Sequence, residues 1–139
     1  MKKKRKKLPS IPALKKTAWD LLSKIIRLSH ADEGGTVSCY TCGKLLFWKT
    51  EAQAGHAIPG RTGAVLLDEE ILRPQCVGCN VFHRGMYHVF TTKLIKENGM
   101  PWWECKLVES KKVMKWDRVK LEDKIESFKQ RLKDLNESS

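Results

Sequence analysis

The sequence predicts an α+β fold in which a small cysteine-rich core lies between an N-terminal and a C-terminal helix. Two cysteine pairs with the spacing C-x-x-C occupy the middle of the chain. Apolar residues recur at helical spacing near both ends. A chain of 139 residues fits one compact domain with this organisation.

The chain divides into four parts by composition and pattern. We assign residues 1–10 to a basic, disordered arm, 11–36 to an N-terminal helix and turn, 37–99 to the core, and 100–139 to a linker and an amphipathic C-terminal helix.

The first seven residues, Met-Lys-Lys-Lys-Arg-Lys-Lys, resemble the charged start of a signal peptide. The residues that follow, Leu-Pro-Ser-Ile-Pro, are too polar and too broken for its apolar segment. We therefore expect an intracellular, cytoplasmic protein. Paired cysteines in a reducing compartment favour zinc over disulfides.

The two terminal segments have the clearest helical periodicity. We predict one helix from Ile11 to about His30, with Pro12 in its first turn, where proline is tolerated. The last helix has apolar residues in steps of four and three, which form a seam that needs a partner helix. Packing on the N-terminal helix is the ordinary expectation, and a homodimer seam is the alternative. The seam consists of Leu121, Ile125, Phe128, Leu132 and Leu135.

The core is expected to contain short extended segments followed by a helix. Val37–Cys42 and Leu45–Lys49 predict a hairpin around Gly43. The remaining predicted segments are extended residues Ala52–Ile58, Ala64–Leu67 and Ile71–Gln75, a helix over Val77–Glu97 with a bend or close contact at Gly85, and a packed loop with a short strand over 100–114.

The four paired cysteines predict one structural zinc ion. Two C-x-x-C pairs can supply the four thiolates of a tetrahedral site, which orders loops that a small core cannot order alone. The predicted ligands are Cys39, Cys42, Cys76 and Cys79. Cys105 lies outside this pattern and is expected to be an ordinary small residue near the surface or at the edge of the core.

Three polar residues between and after the cysteine pairs suggest a ββα-metal nuclease core. A neutral imidazole at His56 could take a proton from water, while a divalent cation holds the scissile phosphate. Asn80, directly after the last cysteine, offers the oxygen ligand that Mg²⁺ or Mn²⁺ prefers, although a helix cap is its simpler role. His83 could contribute a further ligand or be a solvent-exposed side chain.

The charge indicates a polyanionic partner. The formal net charge is +11, and no stretch approaches the length of an apolar membrane span, so DNA is preferred to a membrane. The expected phosphate contacts are Lys2, Lys3, Lys4, Arg5, Lys6, Lys7, Arg61, Arg73, Arg84 and Lys93.

These motifs resemble the phage NinG (Rap) recombination proteins, an HNH-like group of ββα-metal, treble-clef nucleases. The resemblance is carried by Gln53-Ala54-Gly55-His56 and by Gln75-Cys76-x-x-Cys79-Asn80, and it covers nearly the whole chain. It implies a phage- or prophage-encoded enzyme that cleaves branched DNA, such as D-loops and Holliday-type junctions. It also implies that His56 is the general base and that Asn80 holds the metal.

Two positions depart from the usual pattern of these nucleases. Ile71 stands where the HNH signature has its middle asparagine, and Gly55 stands where many members have a metal ligand. The second protein ligand of the cation is therefore open among His83, Asp68 and Glu69. A non-catalytic zinc-dependent nucleic-acid-binding module and a sequence-specific restriction or homing-type nuclease are the alternative functions.

Overall fold

The computed structural model describes residues 7–60 and 63–137. It contains helices and small antiparallel sheets, as the predicted α+β class requires. The elements are α1 (Ile11–Ser29), β1 (Thr36–Ser38), β2 (Leu45–Phe47), β3 (Ala52–His56), α2 (Gly63–Leu66), β4 (Leu72–Cys76), α3 (Tyr87–Asn98), α4 (Met100–Ser110) and α5 (Arg118–Glu137), with single helical turns at Glu69–Ile71 and Gly78–Phe82.

Helix α1 confirms the predicted N-terminal helix. The Ser10 hydroxyl accepts a hydrogen bond from the Ala13 amide at 3.2 Å, which satisfies one of the free donors of the first turn. Pro12 lies in that turn, as expected. The residues that α1 buries recur at intervals of one, three or four: Leu14, Ala18, Leu22, Ile25 and Ile26.

Helix α5 packs on α1, and this contact forms the largest apolar cluster. Leu121, Ile125 and Phe128 are buried in it, which confirms the seam and its packing on the N-terminal helix. Leu132 and Leu135, the last two residues of the seam, are partly buried against the same cluster. Arg118 at the start of α5 donates a hydrogen bond to the carbonyl of Pro9, just before α1 begins. The starts of the two helices are therefore adjacent, and the helices run parallel.

The β3–β4 hairpin has two faces with different neighbours. Residue pairs such as Ala54↔Pro74 and His56↔Leu72 lie on the face that packs against α1. Gln53↔Gln75 and Gly55↔Arg73 lie on the opposite face, because side chains alternate along a strand. This face meets the segment after the second cysteine pair.

The prediction of one helix over Val77–Glu97 was wrong. The chain makes one wide turn at Gly78–Phe82, and α3 begins only at Tyr87. Arg84, Gly85 and Met86 separate them with φ values of 52°, 90° and 51°. Left-handed backbone cannot continue a right-handed helix, so the segment bends here, where Gly85 had indicated a bend.

Two other segments also differ from prediction. Gly63–Leu66 forms a helical turn instead of an extended piece, and Met100–Ser110 is helix α4 instead of a loop and strand. Pro101 lies in the first turn of α4. Lys106 is buried against its neighbours, where its ammonium contacts Asp68, Glu70 and Glu109 at 2.9–3.4 Å. A lysine therefore occupies a buried position of α4. The apolar residues of this segment do not show the periodicity that would predict a helix.

We predict that Phe128→Ala destabilises the protein by about 3–5 kcal/mol, because it removes a large buried side chain between α5 and α1. Phe128 is 2% exposed. Val119→Ala on the same helix is the matched control, since Val119 is 66% exposed. Urea unfolding of both variants measures the difference, and equal losses of stability would contradict the role of α5 in the core.

Candidate functional site

The four predicted zinc ligands lie together. Their sulfur atoms are all within 4.8 Å of one another, and the Sγ atoms of Cys42 and Cys76 are 3.8 Å apart. A tetrahedron with Zn–S bonds of about 2.3 Å has edges of about 3.8 Å. The cluster could therefore hold a zinc ion without rearrangement of these two thiols.

The backbone at each cysteine pair forms a tight turn around the sulfurs. In the first pair, the Gly43 amide donates to the Cys39 carbonyl at 2.8 Å, and Gly43 has a φ of 79°, which favours glycine. In the second pair, the Cys79 amide donates to the Cys76 sulfur at 3.4 Å. Amides directed at sulfur stabilise the thiolate form, which is the form that binds metal.

The thiols differ in how readily they lose a proton. Burial acts to raise the pKa of Cys39, but hydrogen bonds from the Thr41 side chain and from backbone amides outweigh it and lower this pKa to about 6. Burial raises the pKa of Cys79 to about 12. Such opposed shifts are the expected result of packing four thiols closely, because only some of them can carry charge in the absence of a cation.

His56 lies at the end of β3 on the face of the hairpin that meets α1. Its ring stacks on Trp19 with centroids 4.8 Å apart and an interplanar angle of 18°. Its Nε2 lies 3.2 Å from the carbonyl oxygen of Leu66. The imidazole is half-buried, and it is held by an indole and a backbone carbonyl.

Asn80 lies on the opposite side of the hairpin. Its Nδ2 donates to Gln53 Oε1 at 2.9 Å, and Gln53 projects from the face that His56 does not share. This contact ties the turn at Gly78–Phe82 to β3 and differs from the helix cap considered as the simpler role of Asn80. The two residues predicted to act on one phosphate are therefore not in direct contact.

A groove runs along the edge of β3 that is not paired to another strand within residues 7–60 and 63–137. It contains side chains from both sides of the hairpin, because the edge is common to both faces. Trp19, which covers the His56 ring, and Asn80 both line it. The other residues of the groove are Ser23, Arg27, Ala52, Gln53, Ala54 and Val81.

The two departures from the HNH pattern have clear structural settings. Ile71 is fully buried, and its carbonyl accepts a hydrogen bond from Ala57, the residue after His56, at 2.8 Å. The backbone of Ile71 is thus hydrogen-bonded to the residue that follows His56. At Gly55, a Cβ atom would lie 1.8 Å from Gln75 Oε1, so the glycine leaves room for the Gln75 side chain.

Gln75 is the site residue to which the sequence analysis gave no role of its own. It is fully buried, and its Nε2 donates to Thr41 Oγ1 at 3.1 Å and to the Gly85 carbonyl at 2.9 Å. One side chain therefore links the first cysteine pair to the bend before α3. Its position directly before Cys76 in a family motif was the available sequence signal.

The three candidates for a second cation ligand are placed differently. Asp68 accepts hydrogen bonds from Lys106, and Glu69 is paired with Arg131 of α5. His83 is exposed in the bend after Cys79. The structure thus engages both carboxylates in ion pairs with other parts of the chain.

The predicted phosphate contacts fall into three groups. Arg73 donates to the carbonyls of Glu70 and Leu72, and Lys93 donates to the carbonyl of Tyr40, so both are held by the protein itself. Lys7 and Arg84 are exposed. Arg61 and the arm residues Lys2, Lys3, Lys4, Arg5 and Lys6 lie outside the described residues.

Within the described ranges, no helix combines the length and apolar character needed to span a membrane.

Comparison with known proteins identified one family. The family model described as Bacteriophage Lambda NinG protein matches residues 1–138. Searches among curated proteins and solved structures gave no match.

We predict that the purified protein contains about one zinc ion per chain and that Cys76→Ser loses it, because a serine hydroxyl cannot replace a thiolate at a tetrahedral site. Zinc content by mass spectrometry and the thermal unfolding midpoint measure the effect. Cys105→Ser is the matched control, since Cys105 is exposed and outside the cluster. Full zinc content in Cys76→Ser would exclude this assignment.

Proposed function

The chain belongs to the Bacteriophage Lambda NinG family, and from this premise we propose that it is a metal-dependent DNA endonuclease of the HNH type. We further propose that it acts on branched recombination intermediates, such as D-loops and Holliday-type junctions. This preference rests on the family resemblance, because none of the described residues selects a DNA branch by itself.

The charge of the chain supports DNA as the substrate. A net charge of +11 allows the protein to displace many of the counterions that surround a DNA backbone. Exposed Lys7 and Arg84 are available for phosphate contacts, and residues 2–6 add five positive charges to the sequence. Binding should therefore weaken steeply as salt concentration rises.

The proposed chemistry assigns separate tasks to the two faces of the hairpin. His56, as a neutral imidazole, accepts a proton from the attacking water. Asn80 presents an oxygen to a divalent cation, Mg²⁺ or Mn²⁺, which would stabilise the charge on the phosphate and on the leaving oxygen. The clustered cysteines keep the strand and the turn that carry these residues in register.

The proposal is carried by the edge of β3 that no other strand of the described residues covers. Asn80 lines the groove along this edge, and His56 lies at the end of the same strand behind Trp19. A phosphodiester that crosses the edge would approach residues of both faces. Access to the His56 ring from the groove requires movement of Trp19, which stacks on one face of the ring.

A non-catalytic, zinc-dependent nucleic-acid-binding module is the second candidate. It is favoured by the placement of His56 and Asn80 on opposite faces and by the apolar Ile71 at the usual asparagine position. Such a module would bind DNA with the same basic residues but would leave the phosphodiester intact. A sequence-specific nuclease of the same fold is distinguished by discrete products from linear duplex DNA.

We predict that the wild-type protein cleaves four-way-junction DNA with Mg²⁺ or Mn²⁺ and that His56→Ala lowers the rate by about 10²–10⁴-fold, the usual contribution of a general base. DNA binding, measured without divalent cation, should be unchanged. Gel analysis of junction, supercoiled and linear DNA gives the rates and the substrate preference.

His88→Ala is the matched control, because His88 is an exposed histidine on α3 and outside the groove. It should cut as the wild type does. DNA binding by the wild type without cleavage under any divalent cation would support the non-catalytic module instead. Equal cleavage by His56→Ala and wild type would remove His56 from the mechanism.

A further inference from the structure

Two side-chain amides near β3 donate hydrogen bonds through their nitrogen atoms. Gln75 Nε2 donates to Thr41 Oγ1 and to the Gly85 carbonyl, and Asn80 Nδ2 donates to Gln53 Oε1. Rotating the Gln75 amide by half a turn would bring its oxygen against the carbonyl oxygen of Gly85, which can only accept. The oxygen atoms of Gln75 and Asn80 are therefore directed away from these partners.

Both oxygens are directed toward the same side of Gly55. From the position of a Cβ atom at residue 55, Gln75 Oε1 is 1.8 Å away and Asn80 Oδ1 is 3.2 Å away. The absent side chain lets the two oxygens approach the same small region. Two partly negative atoms in one region are stabilised by a positively charged ligand.

Gln75 Oε1 also has no hydrogen-bond partner in the part of the chain that the structure describes. The side chain is fully buried, and this oxygen accepts no hydrogen bond from any residue in the described ranges 7–60 and 63–137. Buried amide oxygens almost always have a partner, so an exception requires an explanation. A bound cation or an ordered water would satisfy it.

The oxygen chemistry of the site fits a hard divalent cation. Mg²⁺ and Mn²⁺ prefer oxygen ligands and often use only one or two protein groups together with waters and substrate phosphates. Asp68 and Glu69 are engaged with Lys106 and Arg131. Gln75 is thus the buried oxygen donor that accompanies Asn80 at Gly55.

We propose that Gln75 is, together with Asn80, a direct ligand of the divalent cation that this protein uses. The proposal rests on the proposed function and adds the second protein ligand to it. Gly55 has a role in this arrangement as well, because any side chain there would occupy the space of the Gln75 oxygen.

The test uses the full-length, zinc-loaded protein without DNA and Mn²⁺ as the probe. In ¹H–¹⁵N spectra, substoichiometric Mn²⁺ should broaden the side-chain amide signals of Gln75 and Asn80 first. The amide signal of Gln130, an exposed glutamine on α5, should persist. Persistence of the Gln75 signal at saturating Mn²⁺ would show that no Mn²⁺ binds beside Gln75, and it would overturn the proposal.

Mn²⁺ affinity, measured by electron paramagnetic resonance, should respond to the charge of residue 75. Gln75→Met should weaken binding at least tenfold, since even indirect partners of a metal contribute roughly 10–100-fold. Gln75→Glu should bind Mn²⁺ more tightly, because a carboxylate is a stronger ligand than an amide. Gln130→Glu is the control for added charge and should leave the affinity unchanged.

Gln75 also supports the fold, so zinc content is measured for each variant. If Gln75→Met loses zinc, the Gln75→Glu variant and the wild-type spectra decide whether Gln75 binds the cation. An unchanged Mn²⁺ affinity in Gln75→Glu would reject the ligand role. Mn²⁺ binding at Gln75 without DNA cleavage would keep this inference and reject the nuclease. DNA cleavage that is unchanged in the Gln75 variants would keep the nuclease and reject the ligand role of Gln75.

Discussion

The convergence of the four cysteine sulfurs is the constraint on which the core depends. Among the described residues, each sheet has two strands, and an isolated two-stranded hairpin is marginally stable in water. The cysteine cluster connects the turn before β2 with the end of β4, which are 34 residues apart at Cys42 and Cys76. A zinc ion at this position would close that loop and hold both hairpins and the turn after Cys79 in one arrangement.

The cysteine cluster also determines where the candidate site lies. Gln75 precedes Cys76 and Asn80 follows Cys79, so both amides are positioned by the second cysteine pair. Gln75 reaches back to Thr41 within the first pair and forward to Gly85 in the bend. The cysteine cluster and the polar side chains at Gly55 are therefore parts of one continuous structure, and a change in one affects the other.

Sequence patterns predicted those features that depend on repeated spacing. The apolar residues of α1 and α5 and the two C-x-x-C pairs have such spacing, and the structure contains both helices and the cluster. The bend before α3 was not predictable as a helix end, because Arg84 and Met86 adopt a left-handed backbone that non-glycine residues rarely adopt. Helix α4 was missed because Lys106 is buried through ion pairs that only the folded chain provides. The position of Asn80 relative to His56 depends on which face of β3 the turn meets, and no local pattern specifies that.

The parallel arrangement of α1 and α5 has a consequence for how the chain folds. Arg118 contacts Pro9 across 109 positions of sequence, and the main apolar cluster joins residues from both of these helices. Contacts between such distant segments slow folding, because a long loop must close before they form. During synthesis on the ribosome, α1 must remain without its partner until α5 has emerged. The part of the apolar face of α1 that α5 covers is exposed to other nascent chains and to chaperones until then, whereas the part against Ala54 and Leu72 can be covered earlier.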